Sequence, residues 1–436
     1  MLPGSRLILL VAASSPTWFL AALVPGTWKI PLLFLLAVLL LSVWNYLRTP
    51  GPRKLAVQRS LPVRFSLDSE QEVTLCLTNH SGKRLTVEVR DEVPDCFAIL
   101  SRFEPLVLDP GGRADIGYRV KAVRRGQAHF HRVFIRLQQG LGLMRRQFSL
   151  ELESLRKVYP SFLGVDQHDL LAMIDRRQEG RKIPRLVKGR GSEFESLRPY
   201  LPGEDLRNLD WKISAKRGHL VSRNFQVEKG QQLTILIDAG RFMMETVGGR
   251  PRFEHALNAA VMLSYVAQKR GDTVSLACFS NRIESFLPAV KGALVMPRVL
   301  EALVDVQPRN VESDYWHVFA SVLSRLKKRS LIVLISEVLD RAGSSGLVNN
   351  LSRTAGKHLV LCVLLWEQKL YALSDQIPLD LSQSYRKAAA SHVILERQLA
   401  LDDMRAKGIM VLETSPEHFS IQLIRKYLEI RKADLL

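Results

Sequence analysis

The sequence predicts a mixed α/β protein: a mainly parallel, doubly wound sheet, preceded by a small β-sandwich and an N-terminal transmembrane hairpin. Apolar strands alternate with helical patterns from residue 231 to the end of the chain, which is typical of a parallel sheet with helices on both faces. Short alternating runs occupy residues 55–160, and two apolar segments precede residue 50. We therefore predict four regions, namely 1–50, 55–160, 161–230 and 231–436.

Two apolar segments of 18 residues, Leu7–Val24 and Ile30–Leu47, open the chain. Each is close to the length of about 20 residues that crosses a bilayer as a helix. The short segment 25–29 between them contains a tryptophan and predicts a tight turn at the membrane surface. A cleaved signal peptide is the alternative for the first segment, but no clean small-residue cleavage site follows its apolar part. The region is thus predicted to form two transmembrane helices.

Basic residues follow the second apolar segment before the first acid, Asp68, appears. By the positive-inside rule, this bias places the chain after residue 48 in the cytoplasm and predicts a multi-pass protein of the inner, cytoplasmic membrane. The four cysteines form no CxxC pair, which fits reduced thiols in a reducing compartment. The basic residues are Arg48, Arg53, Lys54, Arg59 and Arg64.

Residues 55–160 carry short runs in which apolar and polar residues alternate. Turn sequences such as 79–83 and 109–112 separate these runs. Several short strands at this spacing are typical of a small β-sandwich. The clearest runs are Glu72–Leu77, Leu85–Val89, Ile116–Val120 and Val133–Leu137.

Residues 161–190 are predicted to be a linker that contains one helix, Gln167–Arg177, and ends in a basic run over residues 176–190. The chain has a net charge of +19, and this run is open to three interpretations: a solvated linker, a contact with anionic lipid, or a contact with nucleic acid. Aromatic residues, on which single-stranded nucleic acids stack, are absent from the run. Nucleic acid is therefore the least favoured partner.

The segment 189–217 mixes acids, bases and apolar residues at short intervals. Its opposite charges predict a compact network of ion pairs. We expect Trp211 to pack this network against the sheet. Such a network is either a structural clasp or a surface that recognises a partner. The candidate partner-binding residues in it are Glu204, Asp205, Arg207, Asp210 and Trp211.

Two predicted strands of the last region have an acid at the carboxyl end, Asp238 in the first and Glu337 after the second. Carboxyl ends of parallel strands meet at the ligand-binding edge of an open α/β sheet, so we expect the two carboxylates in one cleft if the strands are neighbours. A hard cation such as Mg²⁺ would need hydroxyl oxygens from the loop after the first strand. That loop offers Gly240 and Phe242 instead, with Arg241 between them. We expect Arg241 to pair with one of the two acids and no metal or other cofactor to bind.

The segment from Gly189 to Lys216, GRGSEFESLRPYLPGEDLRNLDWKISAK, resembles that of a bacterial family called domain of unknown function 58. The later LIDAGRFM and, in the β region, Arg124-Arg125-Gly126 and Val158-Tyr159-Pro160 extend the resemblance over nearly the whole chain. The resemblance implies a von Willebrand factor A-like domain that follows a membrane anchor and a β-sandwich. It also implies a MoxR-type AAA+ ATPase and protein clients as partners, in protein maturation or complex assembly.

In the related A domains, an Asp-x-Ser-x-Ser loop, a threonine and a further Asp bind a metal. The resemblance puts the loop at residues 238–242, where Gly240 and Phe242 replace both serines, and the further acid at Glu337. The threonine position falls near residues 312–314. The resemblance therefore implies the fold with a degenerate metal site.

Enzyme signatures are absent from the sequence, which has no GxSxG, HExxH, GxxxxGK or dinucleotide-binding glycine pattern. We predict a membrane-anchored, non-enzymatic interaction component that binds its partners through Asp238, Arg241, Glu337 and the segment 189–217. Two alternatives stay open at this point. One is a metal-dependent hydrolase built on Asp238 and Glu337, and the other is binding of anionic lipid or nucleic acid through residues 176–190.

Overall fold

The computed structural model describes residues 2–23, 28–101, 103–140, 142–161, 193–200, 209–226, 230–326, 328–338, 340–341, 343–366 and 368–433. The chain divides into two compact units, Met1–Ser161 and Phe162–Leu436. The predicted linker helix Gln167–Arg177 and the basic run 176–190 lie outside the described residues.

The first unit opens with three apolar helices, α1 (Ser5–Ala12), α2 (Ser15–Leu23) and α3 (Lys29–Arg48). Helix α3 has the length and composition to cross a membrane. The prediction of one continuous helix over Leu7–Val24 is wrong, because the helix breaks between α1 and α2. Ser14 at the break donates its hydroxyl to the Val11 carbonyl over 2.6 Å, and a proline, which lacks the amide hydrogen, follows two residues later.

Both ends of this helical region are held by the same part of the first unit. At the start, the Gly4 amide donates to the Leu143 carbonyl over 2.8 Å. A side chain at Gly4 would not fit, because a Cβ atom there would lie 2.1 Å from the Gly142 carbonyl oxygen. At the end of α3, the Asn45 side-chain amide donates to the Gln139 carbonyl over 3.1 Å. The apolar helices therefore leave the β-strands and return to them at one place.

The rest of the first unit consists of two sheets that share one hydrophobic core. Along strands such as β5, buried residues alternate with more exposed ones, as the alternating runs predicted. One sheet has the order β1-β10-β9-β5-β7 with β3 beside β10, and the other has the order β2-β4-β8-β6. The strands are β1 (Leu2–Pro3), β2 (Leu55–Ser60), β3 (Phe65–Ser66), β4 (Glu70–Asn79), β5 (Leu85–Asp91), β6 (Phe97–Ile99), β7 (Leu106–Leu108), β8 (Arg113–Ala122), β9 (Gly126–Gln138) and β10 (Met144–Tyr159).

The second unit is built on a six-stranded sheet with the order β17-β16-β13-β18-β19-β20, in which only the β16–β17 pair is antiparallel. A separate antiparallel pair, β11 and β12, precedes it. The strands are β11 (Glu193–Pro199), β12 (Val221–Gln226), β13 (Gln232–Asp238), β14 (Thr246–Val247), β15 (Arg250–Pro251), β16 (Thr273–Phe279), β17 (Ile283–Val290), β18 (Leu331–Ile335), β19 (Leu359–Leu365) and β20 (Met410–Thr414).

Helices cover both faces of this sheet. Helices α5, α6 and α11 contribute to the core on one face, and α7, α8 and α10 contribute to the core on the other. The predicted mixed α/β architecture with a mainly parallel sheet is thus confirmed. The helices are α4 (Trp211–Arg217), α5 (Arg252–Lys269), α6 (Val295–Leu303), α7 (Tyr315–Leu323), α8 (Ser345–Ala355), α9 (Gln368–Asp375), α10 (Leu381–Ala406) and α11 (Phe419–Lys432).

A buried ion pair lies between the sheets of the first unit. The Arg59 guanidinium donates to both carboxylate oxygens of Asp91, over 2.6 and 2.9 Å, and both side chains are buried. The Tyr118 hydroxyl donates to the same carboxylate over 2.5 Å. A charge in a protein core is tolerated only when it is paired and hydrogen-bonded, so this network holds three strands in one arrangement.

Replacing Asp91 by Asn is expected to destabilise the first unit by about 3–5 kcal/mol, because it leaves a buried arginine without its counter-charge. Hydrogen exchange of peptides from β4 and β9 in the detergent-solubilised chain measures the loss. The matched control is Asp109→Asn, which removes the ion pair with Arg84 in which both side chains are exposed. Equal protection in the two variants would contradict a supporting role for the buried pair.

Candidate functional site

Asp238 and Glu337 lie at the same edge of the sheet, as the sequence predicts. Asp238 is the last residue of β13, and Glu337 comes two residues after the end of β18. These strands are parallel neighbours, with Ile237 opposite Ile335. The carboxyl ends of adjacent parallel strands thus bring both acids to the edge where open α/β sheets bind ligands or partners.

The Asp238 carboxylate is buried and accepts four hydrogen bonds. One oxygen accepts from the Gly240 amide over 2.8 Å and from the Ser313 hydroxyl over 2.5 Å. The other accepts from the hydroxyls of Tyr315, over 2.8 Å, and Ser336, over 2.6 Å. A carboxylate offers about four lone-pair sites, so these donors occupy its hydrogen-bonding capacity.

The tyrosine in this network keeps its proton. Burial and the neighbouring Asp238 carboxylate raise the pKa of Tyr315 well above its usual value. Its hydroxyl therefore remains a donor to Asp238 at neutral pH and does not act as a base. Ser313 lies in the 312–314 segment where the resemblance placed the threonine of the A-domain metal site.

Glu337 is buried between two arginines that are themselves buried. Its carboxylate pairs with Arg397 and, over 3.3 Å, with Arg252, and it accepts the Val338 amide over 3.0 Å. Burial raises the pKa of Glu337, while Arg397 and Arg252 oppose that rise. Arg397 also donates to the Leu365 carbonyl over 3.1 Å, so the ion pair links the sheet to both helices that carry the arginines.

The expected pairing of Arg241 with one of the two acids is wrong. The Arg241 side chain is exposed, and its guanidinium lies 4.7 Å from the centre of the Phe242 ring. The arginines that neutralise Glu337 are Arg252 and Arg397, which lie far from it in sequence. Sequence reasoning missed them because nothing local distinguishes them from the other arginines of a basic chain.

A small cleft of about 80 Å³ opens beside Asp238. It is far below the roughly 300–1,000 Å³ of small-molecule sites and fits the tip of a side chain better than a substrate. Charged residues of both signs and one aromatic ring lie on its rim. The rim residues used below are Arg241, Phe242, Glu312 and Asp340.

The remaining predicted site residues belong to the segment 189–217. Asp210 is the N-cap of α4 and accepts the Ile213 amide over 3.1 Å, which gives it a structural role. The expectation that Trp211 packs against the sheet is wrong, because 66% of its surface is exposed and the preceding Leu209 is buried instead. The candidate residues Glu204, Asp205 and Arg207 lie outside the described residues.

The residues at the edge do not fit a metal of the A-domain kind. Serine could not take the place of Gly240 without a rearrangement, because a Cβ atom there would lie 2.2 Å from the Ser313 hydroxyl and 3.1 Å from an Asp238 oxygen. The Asp238 oxygens accept hydrogen bonds from hydroxyl and amide donors, and Glu337 forms ion pairs with two arginines. In the part of the chain that the structure describes, no group of three or more His, Cys, Asp or Glu could hold a metal ion.

These features define a mixed α/β protein whose sheet edge carries a hydroxyl-bonded acid and an arginine-bound acid. Residues 196–399 match the family model described as "Protein of unknown function DUF58", which confirms the resemblance seen in the sequence. The uncharacterized protein YeaD of Bacillus subtilis (strain 168) is 29% identical over 180 residues, 41% of this chain and 42% of YeaD. The uncharacterized protein Rv1480 of Mycobacterium tuberculosis is 21% identical over 192 residues, 44% of this chain and 60% of Rv1480. The chain thus spans about half the length of these relatives.

Two solved structures show distant similarity. The conserved hypothetical protein BatB from Bacteroides thetaiotaomicron is 13% identical, with a TM-score of 0.31 over 46% of this chain and 100% of BatB. A fragment of alpha-2-macroglobulin from Escherichia coli is 17% identical, with a TM-score of 0.22 over 25% of this chain and 16% of that one. Scores this low do not bear on the fold.

Replacing Glu337 by Gln is expected to cost about 3–5 kcal/mol, because it leaves two buried arginines without their shared counter-charge. Hydrogen exchange of peptides from β13 and β18 measures the change. The control is Glu413→Gln, since Glu413 contacts Arg397 over 3.4 Å but is partly exposed, and we expect a smaller loss. A Glu337→Gln variant that is as stable as the Glu413→Gln control would contradict the stabilising role assigned to Glu337.

Replacing Gly240 by Ala is expected to cost about 1–3 kcal/mol, because the added methyl displaces the Ser313 hydroxyl from Asp238. The backbone itself is not strained, since φ of Gly240 is −79°. The change Ser313→Ala removes the clashing hydroxyl. Gly240→Ala should therefore cost little stability in a protein that already carries Ser313→Ala. Unfolding in denaturant compares the four proteins, and equal costs in both backgrounds would contradict the steric explanation.

Proposed function

We propose that this chain is a membrane-anchored, non-enzymatic protein-interaction component. Its second unit is a von Willebrand factor A-like domain that has lost its metal, and its first unit is a β-sandwich with an N-terminal anchor of apolar helices, of which α3 is long enough to cross a membrane. The observation that carries the proposal is the state of the sheet edge. Asp238 accepts hydrogen bonds from hydroxyl and amide donors, and Glu337 forms ion pairs with two arginines, so we expect neither acid to take part in acid–base or metal chemistry.

The rim of the cleft supports recognition of a protein. Arg241 and Phe242 stack beside it, and Glu312 and Asp340 add negative charge on the exposed surface. Arginine and aromatic side chains are enriched at protein interfaces, where a few of them dominate the binding free energy. The partner that the family resemblance implies is a MoxR-type AAA+ ATPase, with protein clients, in protein maturation or complex assembly.

The apolar helices support anchoring in a membrane. Helix α3 exposes large apolar side chains over most of its circumference, among them Leu32, Leu40 and Leu41, and buries one side against the first unit. A helix that is apolar on all sides is stable only inside a large core or a bilayer. Because Gly4 before α1 and Asn45 in α3 both bond the connection between β9 and β10, an anchor of this kind keeps both of its ends on one side of the membrane. With the basic residues that follow α3, this favours the inner membrane and a cytoplasmic sheet edge.

The proposal predicts that the tagged full-length chain, extracted from membranes in mild detergent, retains an AAA+ ATPase. Reversing Arg241 to Glu and truncating Phe242 to Ala should reduce the retained ATPase at least tenfold, a loss of about 1.4 kcal/mol or more. The matched control is Arg425→Glu, which reverses an exposed arginine on α11 and should change nothing.

Two outcomes would count against the proposal. One is wild-type protein that retains neither an AAA+ ATPase nor a client protein. The other is calorimetric binding of Mg²⁺ or Mn²⁺ that is lost in Asp238→Ala, which would favour the metal-dependent hydrolase instead. Nucleic-acid or lipid binding that requires residues 176–190 would identify a second binding surface. Partner binding at the sheet edge would still be tested by the substitutions at Arg241 and Phe242.

A further inference from the structure

Helix α10 has apolar residues on two opposite sides. The helix is 26 residues long, which corresponds to about 39 Å. Its inner side packs on the second unit through Ala390, Leu401 and Met404, and Arg397 on the same side reaches Glu337. One apolar side is enough to hold a surface helix on its domain. Packing on the second unit therefore does not account for the apolar residues on the outer side of α10.

The outer side carries a stripe with a regular spacing of four and three residues. This is the heptad spacing that keeps side chains on one face of a helix that pairs with another helix. Its large members have exposed fractions of 73% (Leu381), 68% (Tyr385), 53% (Leu395) and 40% (Leu399). Single exposed apolar residues are normal on protein surfaces, but a continuous stripe marks an interaction site. The outer stripe consists of Leu381, Tyr385, Ala388, His392, Leu395 and Leu399.

We propose that the outer stripe binds the same stripe of a second copy of this chain, with the two α10 helices antiparallel. In that orientation the stripe pairs with its own copy around a two-fold axis, which crosses the helix pair at the level of Ala390. Leu381 then lies opposite Leu399 of the second copy, and Tyr385 lies opposite Leu395. In the middle, the small Ala388 faces the larger His392. An isologous contact of this kind closes after two copies.

The residues beside the stripe favour pairing between identical chains. Like charges at these flanking positions would repel each other when the same sequence lies on both sides. Here the flanks are small or uncharged with one exception, Glu396, which the antiparallel arrangement places opposite a serine. The uncharged flanking residues are Ser382, Ser384, Ala389, Ser391 and Gln398.

The stripe spans 19 residues from Leu381 to Leu399, which corresponds to about 27 Å along the helix, so the interface is small. Small interfaces are typical of weak and transient complexes. The dimer should therefore form and dissociate with protein concentration. It does not depend on the partner proposed for the sheet edge, because the outer stripe faces away from the side of α10 that carries Arg397.

Sedimentation equilibrium of the full-length chain in detergent, over a range of concentrations, tests the proposal. Wild-type protein should dimerise, and Leu395→Glu should raise the dissociation constant at least about tenfold, because it puts a charge into the buried stripe. The matched control is Val393→Glu, an exposed apolar position of the same helix outside the stripe, which should leave the constant unchanged. Circular dichroism checks that both variants keep the fold.

A mixture of two variants tests the orientation. Tyr385→Lys and Leu395→Glu should each be monomeric alone and should associate when mixed, because only the antiparallel arrangement places residue 385 opposite residue 395. Wild-type protein that stays monomeric at all concentrations would overturn the proposal. So would a dimer that survives Leu395→Glu, or a monomer whose stripe is protected from hydrogen exchange only by vesicles of anionic lipid.

Discussion

The second unit depends on the buried charge of Glu337. This acid follows the central strand β18, and its two arginines come from helices on opposite faces of the sheet, Arg252 from α5 and Arg397 from α10. A buried carboxylate is tolerated only with such partners. The strand and both helices must therefore keep their relative positions. The same ion pairs neutralise the charge of Glu337 inside the fold.

Asp238 is held in a different way, by neutral donors. The hydroxyls of Ser313, Tyr315 and Ser336 come from the loop before α7, from α7 itself and from the end of β18, and they converge on one carboxylate. A metal ion would connect these elements through its coordination sphere, whereas hydroxyls connect them through directional hydrogen bonds. The hydroxyls therefore hold these elements together through Asp238 alone, and in the function proposed above a partner would meet the exposed rim of the edge.

Two helices expose apolar surface, and the distribution of that surface distinguishes their environments. Helix α3 exposes apolar residues over most of its circumference and buries one side, Pro31, Val38, Ser42 and Asn45, against the first unit, which suits lipid on the exposed sides. Helix α10 carries its most exposed large apolar residues in one stripe and places mostly uncharged residues beside it, which suits another helix. A membrane anchor that holds copies at one surface would raise their local concentration and so favour even a weak pairing.

The sequence by itself predicted the alternation of strands and helices from residue 231 onward, because the spacing of apolar residues is a local property. It also placed Asp238 and Glu337 at one edge, since parallel strands end on the same side. Only the tertiary structure decided what those acids contact. The partners Arg252 and Arg397 lie 85 and 60 residues from Glu337 in the chain, and helix packing, which no local pattern encodes, brings them together. The exposure of Trp211 could not be predicted from the sequence either, because the residues that surround an aromatic ring depend on how the folded chain packs.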